Sequence, residues 1–391
     1  MKKIYLIKSL APWMVDEMLE FSRHTDFEIL FLRKQSNFYI DNIKRFEERN
    51  LKVNYLTMKI KNLSLRKIYF VIKFIIKNFS HFIRNKYSAI IGLNALVWFL
   101  FIDDELFIDD KISIHAQFAT QAAIVSLLIK EFYGEKVEFS FTFHAYDIYF
   151  KNTWFEDLTK NCYKFYSISE FNIQYVKNKY IKSDFSKLEL MRLGTNKIET
   201  NDNEVRINQI LTLGLLSWFT KQKGIDYLLT ALKQLKQEGI DVKLKLAGDG
   251  PLKQQILDII KEFKIEDHVD YIGAINKEQK KDFFNSIDFF ILPSISVPNL
   301  MDGIPVVLME AIAYGKPIIS TNLSGIPEIC INNVNGFLIE EKSVSEIELS
   351  IKKIIKQPEL LNEFKLGTKN IFEYYNIELN SYNKIKSLNW I

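Results

Sequence analysis

The chain has 391 residues, 48% of them apolar and 26% charged, with a net charge of only +4. That composition is globular, and the length exceeds what one hydrophobic core usually serves, so two domains are expected. The small net charge argues against a nucleic-acid binder. Its two cysteines, Cys162 and Cys330, exclude a disulfide framework and lack metal-ligand spacing, which points to the reduced cytoplasm.

The N-terminus, MKKIYLIKSLAPW, begins like a secretion signal, but Lys8 interrupts its apolar run and we read it as a first strand. Short apolar, β-rich runs then alternate with segments of helical period. In the first half they are 3–9, 27–34, 52–57, 89–94, 113–118, 139–145, 164–170 and 188–194. The longest uncharged apolar stretch, Ala89 to Ile102, is shorter than the roughly 20 residues that span a bilayer, so no transmembrane helix is expected. A polar stretch, 196–209, reads as a linker. The pattern restarts with runs at 210–216, 242–248, 269–273, 288–294, 317–321 and 336–339. Near-continuous apolar strands with helical crossovers predict an α/β protein of two Rossmann-like domains with mostly parallel sheets facing a central cleft. The expected boundaries are 1–203, 204–372 and a C-terminal helical segment, 373–391, that packs back toward the first domain.

Residues 59–87 hold eight Lys or Arg and no acid. Read as one helix at 100° per residue, Arg66, Lys73, Lys77 and Arg84 fall within about 40° of one another. Ile68, Ile72, Ile75, Phe79 and Ile83 make the remainder apolar. This suits a helix lying on an anionic membrane surface, or else a sheet-packing helix with a solvated basic edge.

Open parallel sheets bind ligands at the carboxyl ends of their strands, so the strand-end loops select the candidate residues. In 300–321, Asp302 and Gly303 end a loop, Pro305 suits a first helical turn, and the free N–H groups on either side of it, from Ile304 to Val306 and Val307, offer a diphosphate site. Glu310 follows eight residues after Asp302, so a ligand spanning loop and helix meets two carboxylates. An acidic cap followed by a solvent-facing Glu is the plainer alternative.

The stretch Asp302-Gly-Ile-Pro-Val-Val-Leu-Met-Glu310-Ala-Ile-Ala-Tyr-Gly-Lys-Pro317 resembles the signature of the retaining glycosyltransferases of GT-B family 4, E-G-x-P-x-x-x-x-E-A-x-A-x-G-x-P. The flanks 324–329 and 335–339 extend the match. The resemblance implies that Glu310 binds the nucleotide ribose and Asp302 the transferred sugar, with Asp one methylene shorter than the usual Glu. The family segment G-R-L-x-x-x-K-G is placed at Gly214 to Gly224, with Leu215 where Arg is usual and a longer loop. Lys223 then neutralises the diphosphate, and Lys221 supplies the charge missing at Leu215. Gly248, in LAGDGP, is the further donor-side glycine, needed for backbone approach or only for a tight turn.

In the first domain, His144 ends an apolar strand three residues before Asp147. The segment resembles the strand-end His of exopolysaccharide (colanic-acid-type) glycosyltransferases. That likeness implies a His144 reaching the transferred sugar or the acceptor side, and a supporting role for His115. Taken together, the expectation is a cytoplasmic enzyme, peripheral on the inner membrane face, that moves a sugar from a nucleoside diphosphate to a glycan or lipid-linked acceptor. Fixed positive charge does the electrostatic work, with no metal and no other cofactor. The alternatives are a sugar-nucleotide epimerase of the same fold and a non-catalytic sugar-nucleotide-binding partner.

Overall fold

The structure, a computed structural model, describes residues 1–33, 40–56, 58–150, 152–198, 210–298 and 301–391. It divides into two units, Met1–Gly194 with Ile377–Ile391, and Thr195–Asn376. The expected 203/204 boundary and most of the 196–209 linker lie outside the described residues.

The first unit is built on β1 (Lys2–Ile7), β2 (Glu28–Phe31), β3 (Lys52–Tyr55), β4 (Ile112–Gln117), β5 (Val137–Phe143), β6 (Lys164–Ser167) and β7 (Leu188–Leu190). They form one seven-stranded sheet in the order β3-β2-β1-β4-β5-β6-β7, parallel throughout. Both faces of β4 are buried, as a parallel sheet covered on two sides requires. The C-terminal helix, Ile377–Ser387, packs on the helix Pro12–Phe21 within this unit. Two buried contacts fix that end of the chain. Trp390 Nε1 donates to Ser113 Oγ at 2.9 Å, and buried Lys384 meets Glu17 at 2.8 Å. Glu17 also accepts from Tyr5 Oη and Gln117, so neither buried charge is left alone.

The second unit carries β8 (Leu211–Trp218), β9 (Val242–Asp249), β10 (Val269–Gly273), β11 (Phe289–Leu292), β12 (Ile318–Thr321) and β13 (Gly336–Ile339). Their order, β10-β9-β8-β11-β12-β13, is again all parallel. Successive strands first run outward from β8 on one side and then restart on the other. The switch point lies between β8 and β11. In the first unit the same reversal lies between β1 and β4.

Two expectations fail. The run 89–94 is helix, part of Lys86–Phe101, with Ser88, Ile91, Gly92, Ala95, Leu96 and Phe99 buried. An apolar run this long satisfies both periods, and its length favours the helix. The basic segment 59–87 is not one helix. It comprises a short turn, Ile60–Asn62, and helices Leu65–Lys77 and Phe79–Arg84, broken at Asn78 with ψ 20°, so Arg84 sits on a separate piece.

Candidate active site

In the second unit the chemistry gathers where topology predicts, at the carboxyl ends of β8 and β11 beside the switch point. After β8 the chain makes a single turn, Lys221–Lys223, and enters the helix Ile225–Gln237 through Gly224. Gly224 has φ 62°, and a Cβ there would lie 2.0 Å from the Pro293 carbonyl oxygen. Glycine is therefore needed for both conformation and close approach. The Ile295 N–H also donates to Gln222 O at 2.8 Å, so the loops after β8 and β11 are stitched together.

That stitching brings Lys223 to Asp302. Lys223 Nζ lies 3.0 and 2.8 Å from the two carboxylate oxygens, and Ser294 Oγ donates to Asp302 at 3.0 Å. The Lys and Asp side chains are only 14% and 17% exposed, so the pair works at a lower dielectric than a surface ion pair. The helix Val306–Ala313 follows, with Pro305 as its N-cap rather than within its first turn. Val306 and Val307 open that helix, where backbone N–H groups have no carbonyl of the preceding turn to meet. Glu310, on the same helix, accepts from Lys280 at 2.6 Å. Lys280 comes from the helix Lys277–Asn285, which is fixed by an Asn276–Gln279 capping box. Ser294 and Lys280 went unnoticed in the sequence. Ser294 had a signal, a hydroxyl just after a buried apolar run closed by Pro293; Lys280, on a lysine-rich polar helix, had none.

Two sequence placements, at Leu215 and Gly214, are corrected. Leu215 is fully buried in mid-strand, because β8 runs on to Trp218. Gly214 is buried too, and a Cβ there would meet Ile287 Cδ1 at 2.5 Å; it makes room for core packing. Counting the motif spacing back from Lys223 places the family's Gly-Arg at Ser217 and Trp218, with no lengthened loop. Trp218, exposed at the strand end, thus stands at the Arg position. Gly248, with φ 136°, is buried with its bare face 1.9 Å (as a Cβ) from Ser217 O; it lets β9 approach the end of β8. Lys221 is exposed one turn from Lys223.

In the first unit His144 follows β5 at the start of the short helix Ala145–Tyr149. Trp13, from the helix after β1, and Phe118, just after β4, enclose its ring at centroid distances of 5.2 and 4.5 Å. This is the switch point of that sheet. His144 is 8% exposed, and its Nε2 has no hydrogen-bond partner among the described residues. Burial, helped by the Lys384 charge, lowers its pKa to about 3, so the ring is a neutral imidazole. Asp147 Oδ2 accepts from the His144 and Ala119 N–H groups at 2.9 and 3.0 Å. Burial nevertheless raises that carboxyl to about 7. His115 is fully buried in β4, its two ring nitrogens 2.9 and 3.1 Å from Ser140 and Thr142, a purely structural arrangement. Arg66, Lys73, Lys77 and Arg84 are all exposed. Among the described residues no helix is long and apolar enough to cross a membrane.

Residues 199–370 match the family described as Glycosyl transferases group 1. Over 123 residues the chain is 36% identical to the putative colanic acid biosynthesis glycosyltransferase WcaL of Escherichia coli, covering 31% of this chain and 30% of that protein. It is 38% identical over 123 residues to the amylovoran biosynthesis glycosyltransferase AmsK of Erwinia amylovora, with the same coverage. The chain thus spans less than a third of the length of these relatives. Among solved structures, HepE of Anabaena in complex with UDP aligns with 100% of both chains at a TM-score of 0.71 and 15% identity. TarM of S. aureus, in complex with fondaparinux, alpha-GlcNAc-glycerol and UDP, does so at 0.70 and 12%. Residues 199–370 thus resemble the glycosyl transferases group 1 family, and the two parallel sheets have the GT-B fold seen in glycosyltransferases.

Proposed function

We propose that the chain is a retaining glycosyltransferase that moves a sugar from a nucleoside diphosphate to a hydroxyl of a glycan, lipid-linked and destined for a surface polysaccharide. The observation that carries this reading is the convergence of Lys223, Asp302 and the Val306–Ala313 helix start at one switch point. As the bond from the sugar's anomeric carbon to the diphosphate oxygen breaks, negative charge grows on the phosphate. The Lys223 ammonium and the N–H groups of Val306 and Val307 stabilise it, as preorganised donors do best. Asp302 orients sugar hydroxyls, and Glu310, held by Lys280, takes the ribose. Neutral His144 reaches the sugar or acceptor through its unpaired Nε2; at about 3 its pKa is too low for an imidazolium near neutrality. Lys221 adds charge at the rim, fixed lysines replace a metal, and the enzyme works at the cytoplasmic membrane face.

UDP in the HepE and TarM structures supports a nucleoside-diphosphate donor, and the names of WcaL and AmsK support an exopolysaccharide product. The test is a panel of nucleotide sugars with membrane-derived acceptors, the linkage of the product read by NMR. Transfer with retained anomeric configuration, lost in Lys223→Ala and Glu310→Ala while both variants stay folded, is expected. Donor epimerised without acceptor, or bound and left unchanged across the panel, would exclude transfer.

A further inference from the structure

Three helices of the first unit carry apolar surface that neither its sheet nor the His144 cluster uses. The helix Leu65–Lys77 turns Lys67, Val71 and Phe74 inward. Lys67 Nζ is buried against Ile102 O at 2.6 Å and Asp104 at 2.9 Å, which fixes the rotation of the helix. Its outer side then presents Leu65, Tyr69, Ile72 and Ile76, and Leu65 and Ile76 are 86% and 72% exposed. At 100° per residue these four fall within about 60°, and Arg66, Lys73 and Lys77 form an edge roughly 90° from the centre of that stripe. The next helix, Phe79–Arg84, adds exposed Phe79, Ile83 and Arg84. Both pack on Lys86–Phe101, which leaves Ile90, Leu93 and Val97 exposed at i, i+3 and i+7.

We propose that these helices form a bilayer-insertion surface: the apolar stripe enters the boundary between headgroups and acyl chains, and the cationic edge holds anionic headgroup phosphates. This deepens, and rests on, the reading of a lipid-linked acceptor, and it assigns the binding to apolar insertion as well as to charge. Exposed apolar area of this extent marks an interaction site, and the charge distribution chooses the occupant. Seven of the eight cations between residues 59 and 87, all but the buried Lys67, are exposed and no acid lies among them, so a second copy docked on the same face would set cation against cation. An anionic bilayer supplies both apolar depth and negative charge. The cationic stems lie along apolar surface, as residues that keep their charge at a membrane interface do. Arg66 lies 4.5 Å over the Phe132 ring and Lys73 4.5 Å over Tyr69, while Lys77 meets Glu131 at 3.0 Å.

Vesicle flotation with phosphatidylcholine alone and with added phosphatidylglycerol, at low and high salt, tests this. The full chain should bind the anionic vesicles and keep part of that binding at high salt. Ile72→Asp with Ile76→Asp should cut binding at least about tenfold at either salt, and Lys73→Gln with Arg84→Gln should remove only the salt-sensitive part. Failure of the parent chain to bind anionic vesicles at low salt overturns the proposal, as does unchanged binding by the Ile72/Ile76 variant. A dimer in sedimentation that dissociates in the same variant would overturn it in favour of a second copy. UDP titration of the same preparations keeps the transferase reading separate: vesicle binding without UDP binding sinks that reading alone, and the converse sinks only this one.

Discussion

Replacing Lys223 and Asp302 by alanine, singly and together, probes the ion pair at the centre of the proposed donor site. At 2.8 Å two unit charges attract by about 6 kcal/mol at an effective dielectric near 20. Both side chains are more than four-fifths buried, so lost hydration cancels most of this, leaving a net coupling of about 1–3 kcal/mol. Lys223→Ala leaves Asp302 with the Ser294 hydroxyl, a neutral donor at 3.0 Å. We expect it to cost about 2 kcal/mol, or a melting shift of roughly 4–8 °C for a unit of this size. Asp302→Ala should cost about as much, and the double variant should lose less than the sum by the coupling energy. Binding separates the two charges further. The carboxylate competes with a diphosphate for the ammonium, so Asp302→Ala should hold or tighten UDP affinity while turnover falls. Lys223→Ala should weaken UDP binding and cut kcat by about 10²–10³. Scanning calorimetry and isothermal titration read both effects. Additive stabilities, together with UDP affinities unchanged in both variants, would refute a shared site for ammonium, carboxylate and diphosphate.

Gly224→Ala places a methyl group 2.0 Å from Pro293 O on a left-handed backbone. It should lower the melting temperature by at least about 5 °C and weaken UDP binding through the shifted Lys223; an unchanged melting curve would show that the turn yields freely. In the first unit, Asp147, raised to about 7, favours the folded state as pH falls, whereas His144, lowered to about 3, disfavours it below its unfolded pKa of roughly 6.5. The slopes therefore oppose between about pH 4 and 6.5, and His115, lowered by burial as well, sides with His144. Asp147→Asn removes the opposing slope and should melt progressively earlier than the parent chain on acidification; parallel pH profiles would contradict the assignment.

Where strands are short, apolar and followed by turn residues, the sequence and the structure coincide closely, because burial on two faces leaves no other use for such runs. β4, β5, β9 and β12 lie within a residue or two of the runs that announced them. The helix Lys86–Phe101 was hidden by the same logic. Ala89–Asn94 alone suits a buried strand, and only the sixteen-residue extent of the helix, with its buried side at 88, 91, 92, 95, 96 and 99, shows the longer period. The basic segment was legible as amphipathic, but not its break at Asn78. Nor did the sequence show that burying Lys67 would turn Ile72 and Ile76 outward.

The placement of Asp302 before the Val306–Ala313 helix, of Glu310 on it and of Lys223 in the turn after β8 was legible, because local spacing along one helix and one turn fixes it. It was obscure wherever two strands had to be compared. Family spacing assigns Gly214, although the apolar run reads on to 216; the pairing of Ser217 with Gly248 and of Trp218 with Asp249 carries β8 four residues beyond it. Gly248 can sit beside Ser217 only because it lacks a Cβ. Each glycine is thus required by packing. Moving the strand end to Trp218 changes the chemistry of the site: the position that carries a guanidinium in the family carries an exposed indole here. An indole has no charge to offer a diphosphate, so on the proposed reading the load would fall on Lys223 and the helix start, with Lys221, at the other end of the same turn, as a further cation. If the proposed donor site is right, Lys223→Ala should therefore cost more UDP affinity here than the loss of the same lysine would in a site that also has an arginine.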